Sequence, residues 1–151
     1  MADEGAGRAE GMRDEVLRLS LPLLGKISAQ SLQVQGFRGP ATSFNSSRQR
    51  KLLRKWDSEK AKMQREFADL ERIANANLDS FARSNVNING LFMLAIYATH
   101  MREQVSGVRV ALERLGQAID GCRAELARVA MRDYNAVALI VALIALVVAM
   151  L

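Results

Sequence analysis

The segment that decides the fold is Asn135–Leu151, which reads NAVALIVALIALVVAML. The 16 residues from Ala136 to Leu151 include no charged or polar side chain. At 1.5 Å per residue they form a helix of about 24 Å, slightly shorter than the ~30 Å hydrocarbon core of a bilayer. Tyr134 can lie in the headgroup region and make up part of the difference. A core helix of a small soluble domain normally keeps a polar face, so we expect residues 135–151 to form a transmembrane tail anchor.

The rest of the composition indicates helices. The chain has 151 residues, of which 50% are hydrophobic but only 5% are aromatic. Proline occurs only at Pro22 and Pro40, and no alternating strand pattern of useful length is present. This composition argues against a sandwich or barrel and predicts an all-α fold.

The net charge of +5 is concentrated in one part of the chain. Residues 45–72 carry nine basic and five acidic side chains, whereas residues 1–44 carry five of each. A basic chain can bind nucleic acid, but the expected anchor makes an anionic lipid surface or a protein the partner that we favour. Nucleic acid is not an expected partner.

The first third of the chain is predicted to contain only short elements. Residues 1–11 are rich in Gly, Ala and Glu, and we expect them to be disordered. Residues 12–34 predict a short amphipathic helix, or two helices that meet near Ser20–Pro22. The expected apolar face consists of Val16, Leu17, Leu21, Leu24, Ile27 and Ala29. Residues 35–47 contain Gly36, Gly39 and Pro40 and are expected to form a linker that ends at a capping serine, Ser46 or Ser47.

A second helix is predicted from residue 48 to residue 83. Apolar side chains recur there at steps of three, four and seven residues: Leu52, Trp56, Met63, Phe67, Leu70, Ala74, Leu78 and Phe81. Its length of ~36 residues suggests a coiled coil or a helical hairpin. Residues 84–90 have three Asn and one Gly, which favour a turn there, with a kink in one continuous rod as the alternative.

A heptad pattern is the clearest feature after this turn. Its apolar positions alternate in steps of three and four residues: Leu91, Leu94, Ala98, Met101, Val105, Val108, Leu112, Leu115, Ile119, Cys122, Leu126 and Val129. Such an uninterrupted series predicts helix-to-helix packing. We expect these residues, called the seam below, to bind a partner helix or a second copy of the chain. Residues 48–133 are therefore predicted to form a helical hairpin or coiled coil.

Two further sets of residues are predicted to act at the membrane. In an antiparallel hairpin the start of the second helix would lie beside residues 120–128, just above the bilayer. Its basic residues are then expected to contact lipid headgroups: Arg48, Arg50, Lys51, Arg54 and Lys55. Within the span, small residues recur at steps of four and three and predict close packing of membrane helices: Ala138, Ala142, Ala145 and Ala149.

The sequence does not have the residues of common catalytic or metal sites. Cys122 is the only cysteine and His100 the only histidine, so the chain cannot build a thiolate cluster or a histidine cluster. No glycine-rich phosphate loop is present. We expect no catalysis, no cofactor and no bound metal.

Two families share features with this chain. A coiled-coil segment before a terminal anchor resembles the plan of SNARE membrane-fusion proteins, which implies helix pairing between membranes. Their central Gln or Arg layer would fall near Ala98 or Met101, neither of which matches it. The spacing of Val108, Leu112, Leu115, Gly116 and Ile119 resembles a BH3 motif, a helix that docks in the groove of Bcl-2-type proteins. Gln117 stands where that motif has an aspartate.

Together these features predict a non-catalytic, single-pass membrane tether or scaffold. The alternative is an accessory subunit of a larger integral-membrane complex. Arg123, Arg128 and Arg132 precede the span and predict that the amino-terminal part is cytosolic, at a secretory-pathway or outer mitochondrial membrane. The acid-free, basic segment between Glu15 and Asp57 makes the inner mitochondrial membrane the alternative location.

Overall fold

Three α-helices make up the computed structural model, which describes residues 2–41, 46–83 and 88–150. They are α1 (Ala2–Gln35), α2 (Ser47–Ala82) and α3 (Ile88–Met150). No strand occurs among the described residues. The all-α prediction is confirmed.

Helices α2 and α3 are antiparallel. Near the start of α2, Asp57 pairs with Arg123 at 2.9 Å. Further along α2, Glu71 pairs with Arg109. The two acidic residues are 14 positions apart, as are the two arginines, but their order along the chain is opposite. The same register therefore holds over about four turns of both helices.

Helix α1 is antiparallel to α2. Near the start of α1, the carbonyl of Met12 accepts a hydrogen bond of 3.4 Å from the side chain of Asn77. Near its end, the Gln30 amide donates to the carbonyl of Trp56 at 3.0 Å. Because residues at opposite ends of the two helices meet in this way, α1 lies along most of α2.

Helix α1 also packs along α3, in the same direction. The Arg13 guanidinium lies 5.2 Å from the centre of the Tyr97 ring, and the Sγ of Cys122 lies 3.9 Å from the carbonyl oxygen of Val34. The contacts advance together along both helices. The three helices thus form an up-down-up bundle, and the predicted two-helix hairpin or coiled coil is not confirmed, because α1 is a third full-length member.

The length of α1 differs from the sequence prediction. We expected residues 1–11 to be disordered, but the helix begins at Ala2; residue 1 lies outside the described residues. Ala9 is buried, so the bundle packs against this early turn. We also expected a break near Pro22, but the helix continues through it. Pro22 is exposed, so its ring and its missing N–H are on the solvent side of the helix.

The buried face of α1 also differs from the predicted one. Its buried residues follow steps of three, four and seven: Ala9, Val16, Ser20, Leu23, Ile27, Gln30 and Val34. Two of them are polar, and the side chain of each donates a hydrogen bond. The Ser20 hydroxyl donates to the Leu17 carbonyl at 3.2 Å, and Gln30 donates to α2. In contrast, Leu21, which we placed on the apolar face, is 60% exposed.

The core joins all three helices. Its largest fully buried side chains come from each of them: Trp56 and Leu70 from α2, Ile27 and Val16 from α1, and Met101, Leu115, Ile119 and Val108 from α3. The apolar positions predicted for α2 are buried or partly buried against this core. Burial of these side chains from water is the main force that holds the bundle together.

The segment between α1 and α2 closes one end of the bundle. After α1, the Phe37 ring packs edge-on against Trp56, with ring centres 5.9 Å apart. Ser46 precedes α2 and makes no side-chain capping bond, although its carbonyl accepts the first helical bond, from Arg50. Part of the predicted 35–47 linker, residues 42–45, lies outside the described residues.

The reversal between α2 and α3 falls in the predicted 84–90 region. Residues 84–87 lie outside the described residues, and Ile88–Gly90 already belong to α3. Because α2 and α3 run in opposite directions, the chain reverses between Ala82 and Ile88. The alternative of one continuous rod is therefore wrong.

Candidate membrane span and its basic flank

Helix α3 leaves the bundle without a break and continues as an apolar helix that no other part of the described chain covers. It contains the one helix among the described residues that is long and apolar enough to cross a membrane. The most apolar stretch is not buried at all, with Leu143 at 53% and Ile144 at 58% exposure. A core helix of a soluble protein would be mostly covered. Burial within the chain therefore does not explain why this segment is so apolar. Its exposure is compatible with a C-terminal transmembrane helix.

Helix α3 passes from the bundle into the candidate span as one helix. Residues 133–135 are helical, and α3 extends as a single element to Met150. Asp133, just before the span, lies beside Arg132, with the two charged groups 3.4 Å apart. Tyr134 is 71% exposed, as expected for a side chain at a membrane interface. The direction and the rotation of the span are therefore set by the bundle.

The alanines predicted to pack membrane helices lie on one side of this helix. Ala138, Ala142, Ala145 and Ala149 are all exposed. At 100° per residue they fall within an arc of about 60°. Their role in helix packing stays a prediction, which no contact within the chain tests.

The basic residues at the start of α2 lie at the level where α3 leaves the bundle. The Asp57–Arg123 pair fixes the register, so Arg48, nine residues before Asp57, is level with Arg132. Tyr134 is two residues further, or about 3 Å along the axis. From the sequence we expected this cluster beside residues 120–128. The structure moves it about one turn closer to the span.

Several other basic residues lie at the same end of the bundle. Arg132 donates a hydrogen bond to the carbonyl of Ala41 at 2.5 Å, which fixes the segment after α1 against α3. Arg38 lies in this segment and is exposed. We call the exposed basic side chains at this end the basic collar: Arg38, Arg48, Arg50, Lys51, Arg54, Lys55, Arg128 and Arg132.

The acidic residues near the collar are matched by ion pairs. Asp57 pairs with Arg123, Glu59 with Lys55, and Glu125 with Arg128. The hydrogen bonds that the Arg123 guanidinium donates to Asp57 are the main reason why the pKa of Arg123 is raised. In the part of the chain that the structure describes, five collar residues make no ion pair: Arg38, Arg48, Arg50, Lys51 and Arg54.

Most of the predicted partner-binding seam is used inside the chain. Met101, Val108, Leu112, Leu115, Ile119 and Val129 are buried, and Leu94, Val105, Cys122 and Leu126 are partly buried. Most of these residues pack in or against the core that α3 shares with α1 and α2. The face that resembles a BH3 motif is covered in the same way. A partner helix could reach these residues only if α1 moved away, so their predicted binding role stays a prediction.

The start of α3 is more exposed than its sequence suggested. Leu91 is 53%, Phe92 70% and Met93 40% exposed. Burial increases only further along the helix, where Leu94, Ile96, Tyr97 and Ala98 are partly covered. These residues lie at the end of the bundle opposite the basic collar.

The single cysteine and the single histidine have surroundings that are typical of structural residues. Burial is the main cause that raises the pKa of the Cys122 thiol. His100 is exposed, 3.7 Å from Glu103. Over the described ranges, no group of three or more His, Cys, Asp or Glu side chains could hold a metal ion.

Comparison with protein-family models, with curated protein sequences and with solved structures finds no match to this chain. Its function is therefore inferred from the fold and from the exposed span.

Proposed function

We propose that this chain is a single-pass membrane tether or scaffold. In this proposal, residues 135–151 cross a bilayer and the three-helix bundle stands on one side of it as a binding module without catalytic activity. The observation that carries the proposal is the course of α3. Its first part is held in the bundle core at Met101 and Ile119, and its last part exposes only apolar side chains.

The exposed apolar helix supports a bilayer as the partner of this segment. Valine, leucine and isoleucine near the centre of a span each favour insertion by about 0.3–0.6 kcal/mol. The described part of the segment has nine of them, from Val137 to Val148. Left in water, the same side chains would drive aggregation. The arginines before the span support a cytosolic bundle, because positive flanks are retained on that side.

Extraction of membranes with alkaline carbonate tests the anchor. Full-length protein should remain with the membrane pellet. A Leu139→Arg/Leu143→Arg variant should be extracted or fail to insert. Two central arginines cost about 5–7 kcal/mol, more than the roughly 2–4 kcal/mol that the seven remaining branched aliphatic residues contribute.

The matched control carries the same charges just outside the span. Ala127→Arg/Met131→Arg changes two exposed positions of α3 and leaves residues 135–151 intact. This variant should stay in the pellet. If wild-type protein is released by carbonate as a monomeric, folded species, the membrane proposal is wrong.

The alternative function is an accessory subunit of a larger integral-membrane complex. The exposed Leu91, Phe92 and Met93 favour it, because a self-contained bundle has no reason to keep these side chains in water at its far end. Light scattering of purified full-length protein in detergent distinguishes the two proposals. A monodisperse monomer or small homo-oligomer supports the tether, whereas an aggregating chain that becomes soluble only with co-purified subunits supports the accessory subunit.

A further inference from the structure

We propose that the basic collar binds the headgroups of anionic phospholipids in the leaflet from which the bundle projects. This inference rests on the proposed membrane anchor and adds a specific ligand to it. It starts from three observations: where the collar lies, which of its charges are unmatched, and how its side chains are distributed around α2.

The position of the collar follows from the α2–α3 register. If Tyr134 marks the interface, Arg48, Arg50 and Lys51 lie about 3, 6 and 8 Å above it along the helix axis. These distances are within the Debye length of ~8 Å at physiological salt. Arg54 is about 12 Å above the interface and reaches it only with an extended side chain.

Only three of the eight collar residues, Lys55, Arg128 and Arg132, form ion pairs among the described residues. The acidic residues at this end are in ion pairs, as described above, and the sequence has no acidic residue between Glu15 and Asp57. Of the collar residues closest to the interface, Arg48, Arg50 and Lys51 make no ion pair among the described residues. They are free to meet the phosphate groups of lipids.

The distribution around α2 places these charges on its whole outer side. Arg48, Lys51 and Lys55 are spaced by three and four residues on one exposed face, and Arg50 and Arg54 are four apart on the neighbouring face. The inner side is taken by Leu53 and Trp56, which are buried. Because the rigid α3 connection fixes the bundle above the membrane, this outer arc meets the headgroups without any rearrangement.

Energy transfer from Trp56 measures the contact directly. Trp56 is the only tryptophan and lies at the level of residue 124 of α3, about 15 Å above Tyr134. Full-length protein is placed in vesicles of phosphatidylcholine with a minor fraction of phosphatidylserine. Trace dansyl-phosphatidylserine or dansyl-phosphatidylcholine then serves as the acceptor.

We expect stronger transfer to the anionic probe. A basic side chain at the surface enriches an anionic lipid by up to about fivefold. We therefore expect a serine-to-choline transfer ratio of roughly two to five at low salt. The ratio should fall towards one in about 1 M salt, where the Debye length is about 3 Å. The triple variant Arg48→Gln/Arg50→Gln/Lys51→Gln should show little of this enrichment even at low salt.

A matched variant separates local contact from net charge. Lys62→Gln/Arg65→Gln/Arg83→Gln removes three exposed charges from the distal part of the same helix, and it should leave the ratio unchanged. Equal transfer from wild-type protein to both probes at low salt would contradict anionic-lipid binding by the collar, but it would not contradict the membrane anchor. Absence of transfer to either probe overturns the membrane anchor itself. If the triple variant does not fold, the comparison of probes and salt with wild-type protein alone decides the question.

Discussion

Removing one buried side chain from α1 should weaken the whole bundle. Ile27 is 2% exposed and belongs to the core that joins the three helices. Five positions along the same helix, Leu32 is 70% exposed. Both are branched aliphatic residues, so replacing each by Ala gives a matched pair that differs mainly in burial.

The expected magnitudes follow from this difference. Truncating a buried isoleucine to alanine costs about 2–5 kcal/mol, because both the transfer energy and the contacts around the new cavity are lost. Because alanine has the better helix propensity, the substitution restores only about a few tenths of a kcal/mol of this stability. At an exposed position the change stays within about 0.5 kcal/mol. Against a typical total stability of about 5–15 kcal/mol, only Ile27→Ala should have a large effect.

Chemical unfolding of full-length protein in detergent measures both variants. Trp56 reports on the α1–α2 contact, because its carbonyl accepts the hydrogen bond from Gln30, one turn after Ile27. With a urea dependence of about 1–3 kcal/mol per molar, Ile27→Ala should lower the midpoint by roughly 1 M or more. Leu32→Ala should leave it nearly unchanged. If the two variants unfold alike, α1 is not part of the core and the three-helix arrangement is wrong.

Three other changes test local features of the helices. Pro22→Ala should raise the free energy of unfolding by about 1–3 kcal/mol in the same assay, because it restores a helical N–H at an exposed position; a lower value would mean that the bundle needs a kink there. Gly107→Ala and Gly121→Ala should each add about 0.5–1 kcal/mol, since an added methyl group meets no atom within 4 Å; a loss of stability at either position would contradict the packing of α3. Cys122 should be alkylated by iodoacetamide more slowly in the folded protein than in denaturant at neutral pH, because burial raises its pKa and leaves less thiolate. Mass spectrometry follows this reaction, and equal rates would contradict the burial.

The helices with a regular apolar pattern could be predicted closely from the sequence. We expected α2 at residues 48–83, and it is found at Ser47–Ala82. Its large side chains, such as Trp56 and Leu70, recur at helical steps and are indeed buried. The apolar, uncharged composition of residues 136–151 likewise indicated the candidate span, because no other feature of the chain competes with it.

The role of α1 could not be predicted, because polar residues lie in its core face. Ser20 and Gln30 occupy positions where an apolar residue is expected, while Leu21 and Leu32 face solvent. A reading by hydrophobicity therefore found Val16 and Ile27, which are buried, but wrongly added Leu21 to the same face. The sequence does not show that Gln30 donates to a carbonyl on α2, which gives its buried amide nitrogen a hydrogen-bond partner.

The partner predicted for the seam depended on the same reading of α1, and its binding role stays a prediction. A series of apolar residues at heptad spacing indicates that a helix packs against others, but it does not say whether these belong to the same chain. With α1 predicted as a short separate element, the seam lacked an internal partner and a second protein was inferred. Once α1 covers the seam, the same spacing is explained by intramolecular packing.

The continuity of α3 determines which surfaces remain open to a partner. Val129 faces the bundle core, and Ala138 follows it by nine residues, or about half a turn in orientation at 100° per residue. The alanine side of the span therefore points away from α1 and α2. A second membrane helix could approach that side without displacing any part of the bundle, whereas a helix that binds at Leu115 or Ile119 would first have to remove α1. Of the two helix-binding surfaces predicted from the sequence, only the alanine side of the candidate span is accessible in the folded chain.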